Sequence, residues 1–256
     1  MERLVSIDLK ADFGFFRKPD ANNTINLSYN LAHKPAILGI FGAIIGLEGY
    51  QEKGKMPEYY DKLKHISIGI APLDHEKGNF QKTVIKYSNT VGYANKGSNY
   101  LTEEATLIKP SYRVYAILDM DNKEEQKLYG YLQNGYTEFI PYFGKNEHYA
   151  WWEKESFMEY QYEQRDKADD SIFLKTLFRK ENIVKEHKAE AMFDMFSFMD
   201  EELPFMFFER LPKDFDETLY QYNISEFVFT TFRLKNSKGL KGLYYLKDEN
   251  CYVQLL

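Results

Sequence analysis

The chain has a single cysteine, Cys251, among 256 residues. That excludes an internal disulfide and any metal centre built on more than one thiolate. Positive charge is also in short supply. With 33 basic and 39 acidic residues the formal net charge is −6, so binding to nucleic acid must rest on a local patch. Long apolar runs are missing too: the longest, Ala36 to Leu47, is about half a bilayer span. The N-terminal stretch MERLVSIDLK carries charges at positions 2 and 3 and lacks the apolar core of a secretory signal. These absences predict a soluble, cytoplasmic protein without membrane contact. No GxxxxGK(S/T) phosphate loop occurs. Asp119-Met120-Asp121-Asn122 starts like a calcium loop, but Glu124 and Gly130 stand where such a loop needs Gly and Glu. It reads as a turn between strand and helix. His75, His148 and His187 lack partners at ligand spacing, so neither a metal nor a cofactor is expected.

What is present is an ordinary globular composition, 44% apolar and 28% charged, with enough length for a large core. Tyrosine and phenylalanine are abundant, 21 and 20 residues, which suits surfaces that make contacts. Residues 3–9 alternate as a half-buried strand. A polar loop from Phe16 to Asn30 leads into a helix over about 35–47. Strand-like runs follow at 65–73 and 81–88, then a Gly/Asn-rich excursion at 89–104, and a strand at 108–119. An amphipathic helix over 123–134, closed by Gly135, precedes another strand near 147–153. This order predicts an α+β chain: a ferredoxin-like, RRM-like βαββαβ domain over 1–155 with a protruding β-hairpin, and a smaller β-rich region over 156–256. Within the latter, a helix-like stretch runs to about Asp200, and three strand-like runs end the chain. Arg113 and Tyr115 share a face of their strand and offer an RRM-type stacking platform.

The apolar helix keeps glycine at 39, 42 and 46, with Gly49 beyond, on or near one face. Each glycine inside a helix costs about 1 kcal/mol relative to alanine, so the pattern needs a reason. Tight packing of another element is one; close approach of a nucleic-acid backbone is the other. The entry to the helix favours the second. Pro35 biases Lys34 away from helical geometry, which places Lys34 at the cap, and lysine cannot accept a hydrogen bond. Uncapped N–H groups beside His33 and Lys34, with Arg17 and Lys18 on the lead-in, predict an anion site.

These stretches resemble a CRISPR-associated family, the fifth Cas family of the RAMP superfamily, and its type I-B members in particular. The resemblance is carried by Phe16-Arg17-Lys18-Pro19, by Ser28-Tyr29, and by the glycine-rich run from Ile37 to Gly46. Residues 107–119, 141–150 and 209–232 add to it in the expected order. The resemblance implies an RRM-like domain with a thumb hairpin, here around 89–104. It also implies a non-catalytic subunit that caps the 5′ handle of CRISPR RNA in a type I Cascade, in antiviral defence. Its partners would be the CRISPR RNA, the Cascade backbone subunit and the large subunit, with target DNA within the complex a further candidate. The RNA-binding residues expected are Phe16, Arg17, Lys18, Tyr29, His33, Lys34, Gly39, Gly42, Lys145 and Asn146.

The competing reading is a metal-independent endoribonuclease for precursor CRISPR RNA, as in one branch of that family. Such cleavage needs a base, an acid and a cation for the crowded phosphate. Tyr29, His33 and Lys34 lie close in sequence, and Lys64-His65 is a second Lys–His pair. The catalytic branch has its Lys–His pair well beyond the first helix, with no clear counterpart here, so no catalytic residue is assigned.

Overall fold

A computed structural model describes residues 1–19, 24–89, 100–165, 171–180, 193–194, 205–235 and 240–256. Strand β1 (Glu2–Ala11) buries Leu4, Val5, Ile7 and Leu9, so both of its faces must be covered. Short strands β2 (Phe13–Gly14) and β3 (Phe16–Arg17) lead away, and β4 (Ile25–Tyr29) returns antiparallel to β3. Helix α1 (Lys34–Ile45) ends on Gly46 in the left-handed region, and α2 (Glu58–Leu63) packs against it. Then come β5 (Ser67–Leu73), the antiparallel pair β6 (Lys82–Asn89) and β7 (Tyr100–Ile108), and β8 (Ser111–Asp119). Helix α3 (Lys123–Asn134) spans the predicted range and stops at left-handed Gly135, as expected; its N-terminus is capped by the side chain of Asn122. Two short strands follow, β9 (Ala150–Trp151) and β10 (Met158–Tyr160).

The central sheet runs β10-β1-β8-β5, all antiparallel, with β9 on the far end of β1. One face carries Val5, Ile7, Leu9, Ile68, Val114 and Ala116 into the core with α1 and α3. A second sheet joins β2, β7, β4 and β3, with β6 alongside β7. The predicted polar loop from Phe16 to Asn30 therefore contains two strands. The expected strand at 108–119 begins only at Ser111, because Pro110 breaks the ladder that Ile108 closes in β7. The β6–β7 pair reaches Asn89 opposite Tyr100, and the tip of the predicted excursion lies outside the described residues.

Past β11 (Tyr162–Arg165), β12 (Phe178–Arg179) and β13 (Phe193–Asp194), the chain forms a long hairpin. Its arms are β14 (Met206–Asp216) and β15 (Gln221–Thr230), with an irregularity between Pro212 and Asp214. Short β16 (Arg233–Leu234), β17 (Leu243–Leu246) and β18 (Cys251–Gln254) complete it. The helix-like stretch predicted up to Asp200 is not helical where it is described: residues 171–180 hold β12 and two isolated bridges, Ile172 to Leu234 and Leu174 to Tyr252, residues 193–194 form β13, and the rest lies outside the described residues. The chain is α+β and strand-rich.

The last strands cover the second face of the central sheet. Leu246, Val253 and Leu255 pack on Leu4, Tyr115, Ile117 and Tyr160. Ile68 and Leu256 exchange two backbone hydrogen bonds at 3.0 Å. At Gly69 a β-carbon would come within 2.8 Å of the Gln254 carbonyl, so only glycine permits this approach. The stacking platform expected at Arg113 and Tyr115 is thus not available. Tyr115 is sealed in this layer, and Arg113 grips Asp8 with Nε–Oδ1 at 2.7 Å and Nη2–Oδ2 at 2.9 Å.

Candidate nucleic-acid interface

The entry to α1 differs from the uncapped helix expected of it. His33, not Lys34, is the cap: its backbone is extended (φ −128°, ψ 158°) and its Nδ1 accepts from the Ala36 N–H at 3.3 Å. Imidazole supplies the acceptor that lysine lacks, which is why the cap falls one residue earlier. The ring is buried edge-on among Phe16, Tyr29 and Tyr222 at 5.4–6.0 Å. Burial pushes its pKa down to about 3, so it is neutral at physiological pH, and Nδ1 as acceptor leaves the proton on Nε2. Lys34 turns the other way, and its Nζ donates to the Leu256 carbonyl at 2.9 Å. Burial lowers its pKa to about 8. The anion site expected at this helix start is absent, because cap and cation are both engaged inside the protein.

The glycines divide. A β-carbon on Gly42 would stand 2.3 Å from Tyr59 Cβ, so α2 occupies that part of the ridge. Tight packing, the plainer of the two readings, explains Gly42. One on Gly39 would meet only the Tyr59 ring, at 3.6 Å. Gly46 terminates the helix, and Gly49 faces open space. The side-chain-free ridge is therefore not one continuous outer surface: Gly42 is buried beneath α2, while Gly39 on one side of it and Gly46 on the other are partly exposed.

The Gly39 end is the floor of a cleft of about 730 Å³. Ala36, Gly39 and Ala43 form a flat base, and Tyr50, Tyr59, Tyr142, Phe139 and Ile140 stand around it. Ile140, Tyr50, Phe139 and Tyr142 are exposed apolar bodies. Arg17 and Lys145 bring positive charge to the rim, and Glu48 and Glu104 bring negative charge. Lys145 is already committed: it pairs with Glu104 at 2.8 Å and Glu147 at 3.2 Å and lies over the Tyr87 ring at 4.0 Å. Arg17 is exposed and makes no ion pair among the described residues. The cleft thus offers aromatic faces for bases and one uncommitted guanidinium for a phosphate.

Of the ten residues predicted to bind RNA, Phe16, Arg17, His33, Gly39 and Lys145 line this cleft. The other five do not. Tyr29 is core; Lys18 turns to Glu209 at 3.0 Å and over the Tyr29 ring; Lys34 and Gly42 are engaged as described; Asn146 sits exposed on the turn beyond Lys145. The aromatic walls were missed. Their signal is the run TEFIPYFG at 137–144, apolar residues in a stretch with neither helical nor strand period. Gly144 in that run (φ 82°) is required, because a β-carbon would stand 2.0 Å from the Phe15 carbonyl.

Both members of the second Lys–His pair are held by carboxylates. His65 Nε2 is 2.7 Å from Glu125 Oε1, while Glu125 Oε2 accepts from the Asp119 N–H at 2.8 Å. Lys64 is paired with Glu217 at 2.5 Å. Among the described residues no cluster of His, Cys, Asp or Glu is arranged to hold a metal ion, and no helix is long and apolar enough to cross a membrane.

No protein-family profile matches the chain, and no curated protein does. Solved structures with a similar course include a functionally uncharacterized protein from Streptococcus mutans, at 13% identity and a TM-score of 0.34. That alignment covers 60% of this chain and 66% of the other. A chain of a CRISPR RNA-guided surveillance complex aligns at 12% identity and TM-score 0.49, covering 91% and 92%. A CRISPR protein from Archaeoglobus fulgidus aligns at 12% identity and TM-score 0.49, covering 98% and 97%. These are likenesses in the path of the chain, at a level that carries no argument about function.

Proposed function

We propose that the chain is a non-catalytic RNA-binding subunit of a type I CRISPR Cascade complex, acting in the cytoplasm, and that the cleft over α1 holds the 5′ handle of the CRISPR RNA. The observation that carries this is the convergence in one cleft of the signature residues Phe16, Arg17 and Gly39 with Lys145 and a ring of exposed aromatics. A flat floor with aromatic walls and a free guanidinium suits unpaired bases joined by phosphates. The fold supports the same reading. Strand order β10-β1-β8-β5, with α1 after the first strand and α3 after the third, is what a ferredoxin-like βαββαβ unit produces. The β6–β7 pair, inserted between the second and third strands, takes the place of the thumb. The resemblance assigns the remaining surfaces to the backbone and large subunits and to target DNA.

The test is binding of repeat-derived 5′ handle RNA, by the isolated chain and in the assembled complex, across a salt series. Arg17→Ala should weaken binding and lower the logarithmic salt slope by about 0.7, one phosphate contact. An unchanged slope in both settings refutes the assignment of the cleft. The non-catalytic part is checked with repeat RNA in chelator. Site-specific cleavage abolished by His33→Ala would replace it with the ribonuclease. Against that outcome stands a His33 ring held neutral with Nδ1 engaged in capping, a poor acid and a weak base.

A further inference from the structure

A second cleft, of about 550 Å³, opens where the ends of β4 and β6 meet β14. Lys18, Asn30, Asn79, Lys82, Phe208, Glu209 and Arg210 line it. Its charge opposes that of the chain as a whole: three cations face one carboxylate, in a protein of net charge −6. The carboxylate is spent internally. Glu209 accepts from the Asn30 N–H at 3.0 Å, from the Leu31 N–H at 3.0 Å, and from Lys18 at 3.0 Å.

Lys82 has no carboxylate partner among the described residues. Its ammonium donates to Asn30 Oδ1 at 3.0 Å and Asn79 Oδ1 at 3.3 Å, leaving one of its three N–H groups free. Asn30 is itself fixed, accepting from the Phe80 N–H at 3.0 Å and donating to the Gly78 carbonyl at 2.7 Å. It is buried. The ammonium is therefore held in place by neutral acceptors that leave its charge unneutralised. Burial lowers its pKa, an effect the nearby Lys18 adds to and Glu209 opposes. Arg210 is exposed two residues along β14 from Phe208, so their side chains leave the strand on the same face, and Phe208 is about half exposed. Glu226 lies opposite Arg210 in the hairpin register, and its carboxylate is held by Lys180 at 2.9 Å.

We infer that this second cleft binds a further phosphodiester segment of single-stranded RNA, with Lys82 and Arg210 on phosphates and Phe208 as a stacking face. The inference rests on the reading that the chain holds RNA. It gives Lys18 a role other than the one its motif suggested: Lys18 neutralises Glu209 and so leaves the other two cations free. Consecutive residues of the extended lead-in thus serve two sites, Arg17 the first and Lys18 the second.

The experiment uses the full chain with 4-thiouridine-substituted oligouridylates of about 4 and about 16 nucleotides, the range one domain engages. Cross-links are mapped by mass spectrometry and affinities measured by anisotropy. The expected result is a cross-link on the peptide carrying Phe207–Arg210. In Lys82→Glu/Arg210→Glu that cross-link disappears, the long RNA binds at least tenfold more weakly, and the salt slope falls by about 1.4. Lys82→Gln/Arg210→Gln, which keeps hydrogen-bonding capacity at both positions, should show the same direction if the charge-reversed variant misfolds. Arg17→Ala should leave that cross-link in place. If cross-link and affinity survive the double substitution while Arg17→Ala weakens binding, the second cleft is refuted and the first stands. If Arg17→Ala changes nothing while the double substitution abolishes binding, the first assignment fails and this one holds. A double variant that keeps every RNA cross-link but fails to assemble assigns the cleft to an acidic face of a partner subunit and overturns the inference.

Discussion

Alanine at positions 42 and 39 should have opposite effects, although the two lie within one turn of each other on α1. In water-exposed helix each replacement of glycine by alanine gains about 1 kcal/mol. At Gly42 the new β-carbon would stand 2.3 Å from Tyr59 Cβ, where carbon atoms need about 3.5 Å. Tyr59 Cβ is fixed to the α2 backbone and cannot swing away, so the two helices must separate by roughly 1 Å. Overpacking of that kind costs about 1–3 kcal/mol, which outweighs the gain in propensity and leaves a net loss of about 1 kcal/mol. At Gly39 the nearest atoms are the Tyr59 ring at 3.6 Å, an ordinary contact, so the full gain is kept. Urea unfolding of both variants reads the difference directly, as midpoint shifts of opposite sign at constant m. The Gly39 methyl should also raise the cleft floor and weaken RNA binding in a protein that is more stable than its parent. A Gly42→Ala variant as stable as the wild type would refute the packing account, and a Gly39→Ala variant with unchanged RNA affinity would remove that face from the site.

Three other outcomes follow from the same geometry. His33 has a folded pKa of about 3 against 6.5 for a free imidazole, so below pH 6.5 the unfolded chain binds a proton that the folded chain refuses. Stability should fall as pH drops from about 6.5 towards 3, by about 1.4 kcal/mol per unit, and His33→Asn, which can still cap, should flatten that slope in chemical denaturation; parallel curves would refute the burial. Gly144→Ala should cost about 2 kcal/mol or more and loosen Lys145 with its loop, measurable as a lower thermal midpoint and faster hydrogen exchange at 142–149; an unchanged midpoint would refute it. Arg113→Met should cost about 2 kcal/mol by leaving the half-buried Asp8 carboxylate unpaired, and adding Asp8→Asn should recover much of it; a double-mutant cycle with no coupling would show the pair to be incidental.

The sequence was most legible where local rules decide. Helix α3 could be bounded from its amphipathic pattern and from Gly135, a cap set by the backbone preference of a single residue. Strands β1, β5, β6, β15 and β18 announced themselves by alternation or by apolar runs between turn residues. What stayed hidden depends on remote partners. Strands β3 and β4 read as loop because they are short and lie in a stretch rich in Asn, Asp and Pro, although Ile25, Leu27 and Tyr29 alternate with polar residues; β4 pairs in parallel with β7, nearly eighty residues on. Strand β14 was masked by its charges and by Pro212, which the hairpin accommodates at an irregularity in the ladder. The covering of the central sheet by residues 243–256 has no local signal other than Gly69.

The same distinction separates what could be read of the site from what could not. A glycine face states that something comes close, but not what, and here α2 claims Gly42 while Gly39 is left to the cleft. A run of cations such as Arg17-Lys18 states charge, but extended chain sends neighbours to opposite sides, and each side has its own acids. Lys18 meets a buried carboxylate and is neutralised; Arg17 lies on the aromatic-walled cleft and makes no ion pair among the described residues. Charge at a position becomes binding capacity only when folding leaves it without a partner. That is how an acidic chain can present unpaired positive charge in two clefts: Glu104 in the first and Glu209 in the second are each already held by a lysine of the same fold.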